Sequence, residues 1–261
     1  MAVMLTATEI AHFRTHGYVA MPRFLDPDEL AALRVELGRL RSAGKLRNVS
    51  TDADGATHSQ TRFNLQICPI GPLSPVIEAL RFAPQVVATV GALVGHPVRF
   101  VLDQIFLKPA NEGAGTAWHQ DAAYWPIVTE RERGLGMWLA LDDATVANGT
   151  MHVVPGSHRA LRPHYRDPNS DHHIRADEPE GAVPVELPAG GALFFNYGVL
   201  HCTRDNRTAR DRAGLALHFI ADAIRPPEFA VGEPLISDAH GGATRPEAWR
   251  DAIARPRAVL A

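Results

Sequence analysis

Near Val98 the hydrophobic period of this chain changes, and the change sets which folds are open to it. Upstream, apolar residues return at helical spacing. Thr6-x-x-Glu9 is a capping-box pattern ahead of Ile10 and Phe13, and Gly17 ends that helix. Asp26-Pro27-Asp28-Glu29 repeats the start signal, with Pro27 where a missing N–H costs nothing, and Leu30, Leu33, Leu37 and Leu40 follow as one stripe before Gly44. Further helices are expected over residues 74–82 and 83–93, the second stopped by Gly95, while residues 48–65 read as loop. Downstream the period is two. Phe100, Leu102, Gln104 and Phe106 alternate with Val101, Asp103, Ile105 and Leu107, and Leu135, Met137, Leu139 and Leu141 form a second alternating run. Shorter strands are expected at 151–154, 192–196 and 213–222. Gly and Pro turns separate the strands and no helix lies between them, which favours an antiparallel sandwich or jelly roll over a parallel sheet. The expected fold class is therefore mainly β with N-terminal helices that buttress the outer face of a jelly roll.

A single domain is expected over residues 1–261, with a helical part at 1–95, a core at 96–225 and a C-terminal extension at 226–261. Hydrophobic residues make up 46% of the chain, enough for a core that needs no disulfide or metal to fold. The net charge of −3 comes without a basic block, so neither nucleic acid nor a membrane surface is an expected partner. The longest nearly apolar stretch, residues 86–95, is half of what a membrane span requires, about 20 residues. The first five residues lack the basic flank and cleavage site of a signal peptide, and a cytoplasmic location is expected. Two cysteines exclude a disulfide framework or a multi-cysteine metal cluster, whereas 13 histidines direct attention to imidazole ligands. The polar run at 167–180 lies in a long proline-containing segment, 156–188, and reads as a loop that covers a pocket.

Trp118-His119-Gln120-Asp121 carries the chemistry, because residues two apart on an extended strand share a face. His119 and Asp121 can therefore bind one ion. A second histidine would complete a 2-His-1-carboxylate set, which leaves coordination positions open for a co-substrate and O2 and suits non-haem Fe(II). His-x-Asp alone is a weak signal, since a solvated loop pair has the same spelling. The wider pattern adds His201-Cys202-Thr203 and, eleven residues beyond His201, Arg212 at the start of the last strong strand. With Gly17-Tyr18-Val19, Asp121-Ala122-Ala123-Tyr124-Trp125-Pro126, Asn148-Gly149-Thr150 and Val154-Pro155-Gly156-Ser157-His158, these residues resemble the phytanoyl-CoA dioxygenase family of Fe(II)- and 2-oxoglutarate-dependent oxygenases. The resemblance runs over residues 5–225.

It implies a double-stranded β-helix, with His119, Asp121 and His201 as iron ligands and Arg212 as the partner of the distal carboxylate of 2-oxoglutarate. Thr203 would add a hydroxyl donor to that carboxylate, and Trp138 and Gln104 would stand beside the co-substrate. A planar guanidinium fork matches a carboxylate, which is the physical requirement at Arg212. The implied reaction consumes 2-oxoglutarate and O2, releases succinate and CO2, and hydroxylates an unactivated C–H bond of a small-molecule substrate. Asp121 stands where the halogenating branch has a small residue, which argues against halogenation. Taken singly, each residue has a plainer reading: Arg212 a surface charge, Thr203 a turn hydroxyl, Trp138 core. His218 shares strand parity with Arg212 and either lines the pocket or is an ordinary half-buried histidine, and Tyr124 and Trp125 either wall the substrate site or pack the loop. Cys202 is expected to point away from the ligands. A non-catalytic jelly-roll module and a zinc hydrolase built on the same triad remain as alternatives; the hydrolase leaves Arg212 and Thr203 without a role.

Overall fold

The structure, a computed structural model, describes residues 5–125, 133–224, 232 and 234–254. Pro126 of the quoted motif and much of the expected 226–261 extension fall outside the described residues. The helices are α1 (Ala7–His16), α2 (Pro27–Ser42), α3 (Pro75–Leu80), α4 (Pro84–Val94) and α5 (Ala248–Ala254). The strands are β1 (Tyr18–Met21), β2 (Arg47–Asn48), β3 (Leu65–Ile67), β4 (Val98–Lys108), β5 (Thr116–His119), β6 (Gly134–Ala140) and β7 (Met151–Val153). They continue with β8 (Tyr165–Arg166), β9 (Ile174–Arg175), β10 (Val183–Val185), β11 (Ala192–Asn196), β12 (His201–Thr203), β13 (Arg212–Ala221) and β14 (Leu235–Ser237).

Both expected capping boxes form. Thr6 and Asp26 each accept from the backbone N–H three residues on, and Glu9 and Glu29 reach back to the cap residues. Gly17 ends α1 at φ 84°, a left-handed conformation that a side chain disfavours. The stripe on α2 buries Leu33 and Leu40 completely, and Val86, Val87, Val90 and Val94 of α4 join the same core.

Two antiparallel sheets make the double-stranded β-helix. The larger has eight strands in the order β1-β11-β6-β13-β4-β3-β2 with β14 added beside β4, and the smaller runs β10-β7-β12-β5. On the large sheet Leu135, Met137, Leu139, Phe194, Leu215, Leu217 and Phe219 point to the helices. The alternate residues, among them Trp138, Phe195 and Ala216, point to the interior between the sheets. The two-residue period read from the sequence is this division.

Three features depart from the expectations. β1, β2 and β3 lie within the segment read as helical, and β1 pairs with β11 at the sheet's edge. Segment 156–188 is not one loop: it holds a single 3-10 turn, the β8–β9 hairpin and β10, and it buries Asp167, His173 and Ala176. β14, which the strand reading did not include, follows β13 and pairs with β4. Strands of two to four residues are too short to register a period, and edge strands are placed by partners remote in sequence.

Candidate metal centre and anion cradle

β5 ends at His119, and Gln120 keeps an extended backbone (φ −119°, ψ 127°), so Asp121 returns to the face of His119 before the chain turns. Across the small sheet His201 stands in register with His119. Their rings lie 4.2 Å apart between centroids. Nδ1 of His119 donates to the carbonyl of Ala117 at 2.8 Å, and Nδ1 of His201 donates to the carbonyl of Val199 at 2.9 Å. Both tautomers are thereby fixed with Nε2 free as a ligand atom. Asp121 Oδ1 is 3.5 Å from Nε2 of His119 and 3.7 Å from Nε2 of His201. One ligand atom from each residue fits within a 4.8 Å span, and all three residues are buried.

Burial opposes a charge on Asp121, yet the imidazoles of His201, His119 and His218 hold its carboxyl well below the usual carboxylate range. Burial pushes His201 down to about 4. Near neutral pH the cluster is thus an anionic carboxylate with neutral imidazole at His201, a donor set suited to a divalent ion. Asp121 Oδ2 makes no hydrogen bond among the described residues.

Gln120, which the sequence reading passed over, anchors this turn. It is fully buried; its amide donates to the carbonyls of Gly198 at 2.6 Å and Ala160 at 2.9 Å, and its oxygen accepts from the N–H of Arg162 at 2.8 Å. The backbone between two of the clustered residues is therefore tied to segment 156–188.

The other end of the cavity belongs to the large sheet. Arg212 opens β13 and is wholly buried, with its guanidinium 5.3 Å from the Trp138 ring centre. Nη2 donates to the carbonyl of Gly149 at 2.7 Å, whereas Nε and Nη1 find no acceptor among the described residues. Burial pushes this guanidinium down to about 10, which leaves it charged at neutral pH. A buried cation with two unmet donors needs an anion. Two glycines make the arrangement fit: a Cβ on Gly214 would meet the Trp138 ring at 2.4 Å, and one on Gly149 would meet the carbonyl of Arg204 at 2.0 Å.

Thr203 lines the cavity near this cradle, and Lys108, also missed from the sequence, lies opposite Arg212 in the register of β13 and β4. Its Nζ donates to Thr203 Oγ1 at 2.8 Å, although its side chain is only 1% exposed. A lysine at a strand end reads as solvated; only the pairing register turns this one inward.

The cavity between the ends has a volume of about 600 Å3. Gln104 lines it and donates to Gln66 at 2.6 Å, and Gln66 in turn reaches Asn64. Tyr124, Trp125 and His218 also line it. The Trp125 ring lies 5.4 Å from that of His218, and the Tyr124 ring 5.7 Å from that of His119. Cys202 is buried and packs with Trp118, Val154, Ala176 and Leu200.

Three comparisons with known proteins agree with this geometry. Residues 13–214 match the family model described as phytanoyl-CoA dioxygenase (PhyH). The chain is 31% identical over 178 residues to an L-proline trans-4-hydroxylase of Streptomyces griseoviridis, in an alignment covering 55% of this chain and 65% of that protein. It is 25% identical over 230 residues to an ectoine dioxygenase of Nocardia farcinica, covering 81% of this chain and 76% of the relative. Among solved structures, EvdO2 from Micromonospora carbonacea var. aurantiaca complexed with 2-oxoglutarate superposes with a TM-score of 0.69 at 25% identity, covering 88% of this chain and 97% of that one. The epimerase SnoN in complex with Fe3+, alpha ketoglutarate and nogalamycin RO does so with a TM-score of 0.69 at 25% identity, over 84% of this chain and 85% of that one. Among the described residues no helix is long and apolar enough to cross a membrane.

Proposed function

Because this chain belongs to the phytanoyl-CoA dioxygenase family of iron- and 2-oxoglutarate-dependent oxygenases, we propose that it hydroxylates a C–H bond of a small-molecule substrate, with His119, Asp121 and His201 as the iron ligands. Iron bound there supplies, with 2-oxoglutarate and O2, the oxidation that releases succinate and CO2. The protein's own part is to position and to exclude water. Asp121 provides the only negative charge of the donor set, and the carbonyls of Ala117 and Val199 keep both imidazoles turned to the centre. Arg212 binds the distal carboxylate of 2-oxoglutarate through guanidinium hydrogens that the protein leaves unmet, Thr203 adds its hydroxyl, and Trp138 walls that end of the cavity. Gln104 stands beside the co-substrate, and Tyr124 and Trp125 face the space left for substrate.

One observation carries this reading: a His/Asp/His cluster and a buried arginine with two unmet donors line a single cavity. A zinc hydrolase has no use for the second feature. The test is substrate-stimulated succinate release from purified protein supplied with Fe(II), 2-oxoglutarate and O2. Turnover that persists with zinc and without 2-oxoglutarate would sink the reading in favour of hydrolysis. Binding without turnover across a broad substrate screen would favour a non-catalytic module.

A further inference from the structure

Lys108 and Thr203 come from different sheets, β4 of the large one and β12 of the small one, and meet at the cradle end of the cavity. Thr203 Oγ1 accepts twice, from Lys108 Nζ at 2.8 Å and from the backbone N–H of Thr116 at 3.1 Å. A hydroxyl oxygen has two lone pairs and one hydrogen. With both lone pairs engaged, the group can only donate further, and no described residue accepts its hydrogen. Thr203 lines the cavity, as does Arg212, two of whose donors also lack an acceptor. The Lys108 amine carries a hydrogen for each of its two acceptors, Thr203 Oγ1 and the carbonyl of Arg204, even though burial and the Arg212 guanidinium push it toward the neutral form.

We propose that Lys108 is a positioning residue: by donating to Thr203 it commits the Thr203 hydroxyl to point its hydrogen at the distal carboxylate of the co-substrate. This rests on the reading of Arg212 and Thr203 as the carboxylate site given above. Without the lysine, the hydroxyl is free to turn and to accept, and a donor aimed at an anion becomes an acceptor that repels it. The plainer role for Lys108 is a tie between the two sheets, and that role predicts damage regardless of what the ligand carries.

The two roles separate when two keto acids are titrated anaerobically, by calorimetry, into the Fe(II)-loaded protein. 2-Oxoglutarate has the distal carboxylate; 2-oxopentanoate has the same chain length without it. Lys108→Met is expected to weaken 2-oxoglutarate about tenfold, the worth of one charge-assisted hydrogen bond, and to leave 2-oxopentanoate unchanged. Lys108→Gln, which keeps an N–H donor, is expected to retain near wild-type affinity for both, and it decides the matter should Lys108→Met not fold. Thr203→Val is expected to lose as much as Lys108→Met, and the double variant no more than either. Equal weakening of both keto acids, additive losses in the double variant, or a loss in Lys108→Gln as large as in Lys108→Met would each overturn the proposal. If the wild-type protein itself does not prefer 2-oxoglutarate over 2-oxopentanoate, the carboxylate assignment to Arg212 and Thr203 fails first, which is a distinguishable result.

Discussion

The two sheets face each other across one cavity but differ in what lies behind them. β6 and β13 are buried along their whole length, because their outer faces carry the helical layer and their inner faces the cavity and the small interior cluster. β5, β7 and β12 have only three or four residues each, and Trp118, Val154, Leu200 and Cys202 behind them form a small cluster with Ala176 of segment 156–188. Side chains on the large sheet, such as Arg212 and Trp138, take their positions from an extensive core. Those on the small sheet take theirs from individual hydrogen bonds, the Nδ1 contacts of His119 and His201 and the anchored amide of Gln120. The metal centre is therefore held locally and the anion cradle globally. Damage to one is expected to be separable from damage to the other.

The sharpest way to test that separation is Asp121→Ala. Removing the one anionic ligand is expected to reduce hydroxylation to background and weaken iron by more than about a hundredfold, while the melting temperature stays near that of wild-type apoprotein. Succinate assays, iron titration and calorimetric melting measure the three quantities. Global unfolding of the variant would mean that the small sheet depends on its centre for stability, which breaks the comparison.

Phe219→Ala tests the other side. Phe219 is fully buried on β13 beneath the helices, so its truncation is expected to cost about 3–5 kcal/mol in urea unfolding. Iron affinity of the folded variant is expected to stay within about threefold, since no ligand is held through that cluster. A large loss of iron would show that the helical core also sets the metal geometry.

Arg212→Lys is smaller in effect and more specific. Charge is kept and the planar fork is lost, so the dissociation constant for 2-oxoglutarate is expected to rise about ten- to a hundredfold with iron affinity unchanged. Calorimetric titration with each ligand checks both halves, and normal 2-oxoglutarate binding would remove Arg212 from the cradle.

The smallest effect concerns His173 in segment 156–188. Burial, reinforced by neighbouring His172, holds this imidazole well below its ordinary value of 6.5, and its Nε2 lies 3.4 Å from the Gln66 amide. The unfolded chain takes up this proton as pH falls through about 6.5, whereas the folded chain does not. Stability from this group is thus complete above that pH and declines below it, by at most about 1.4 kcal/mol per pH unit. Melting curves between pH 7.5 and 5.5 are expected to fall less steeply for His173→Gln than for wild type, by on the order of 3 °C per pH unit. Parallel slopes would mean that this segment opens and solvates the ring.

His119 and Asp121 were legible as a candidate pair because their chemistry is tied to spacing along the chain, whereas His201 and Arg212 became candidates through the family resemblance. An alternation of two puts His119 and Asp121 on one face, and the parity of β13 puts Arg212, Gly214, Ala216 and His218 on the inner one. Helix caps were legible for a similar reason, since a Thr or Asp three residues before a Glu closes its hydrogen bonds within one turn. Lys108, Gln120 and Gln66 were not. Each owes its role to partners far along the chain, Lys108 to Thr203, Gln120 to Gly198, and Gln66 to Gln104 and His173. Local chemistry is written in local spacing, whereas burial of a lysine or an amide is decided by which strands pair and in which register. That pairing comes from packing the whole chain, so the sequence alone determined the jelly roll and its candidate ligands, and the tertiary structure decided which polar side chains point inward to hold them.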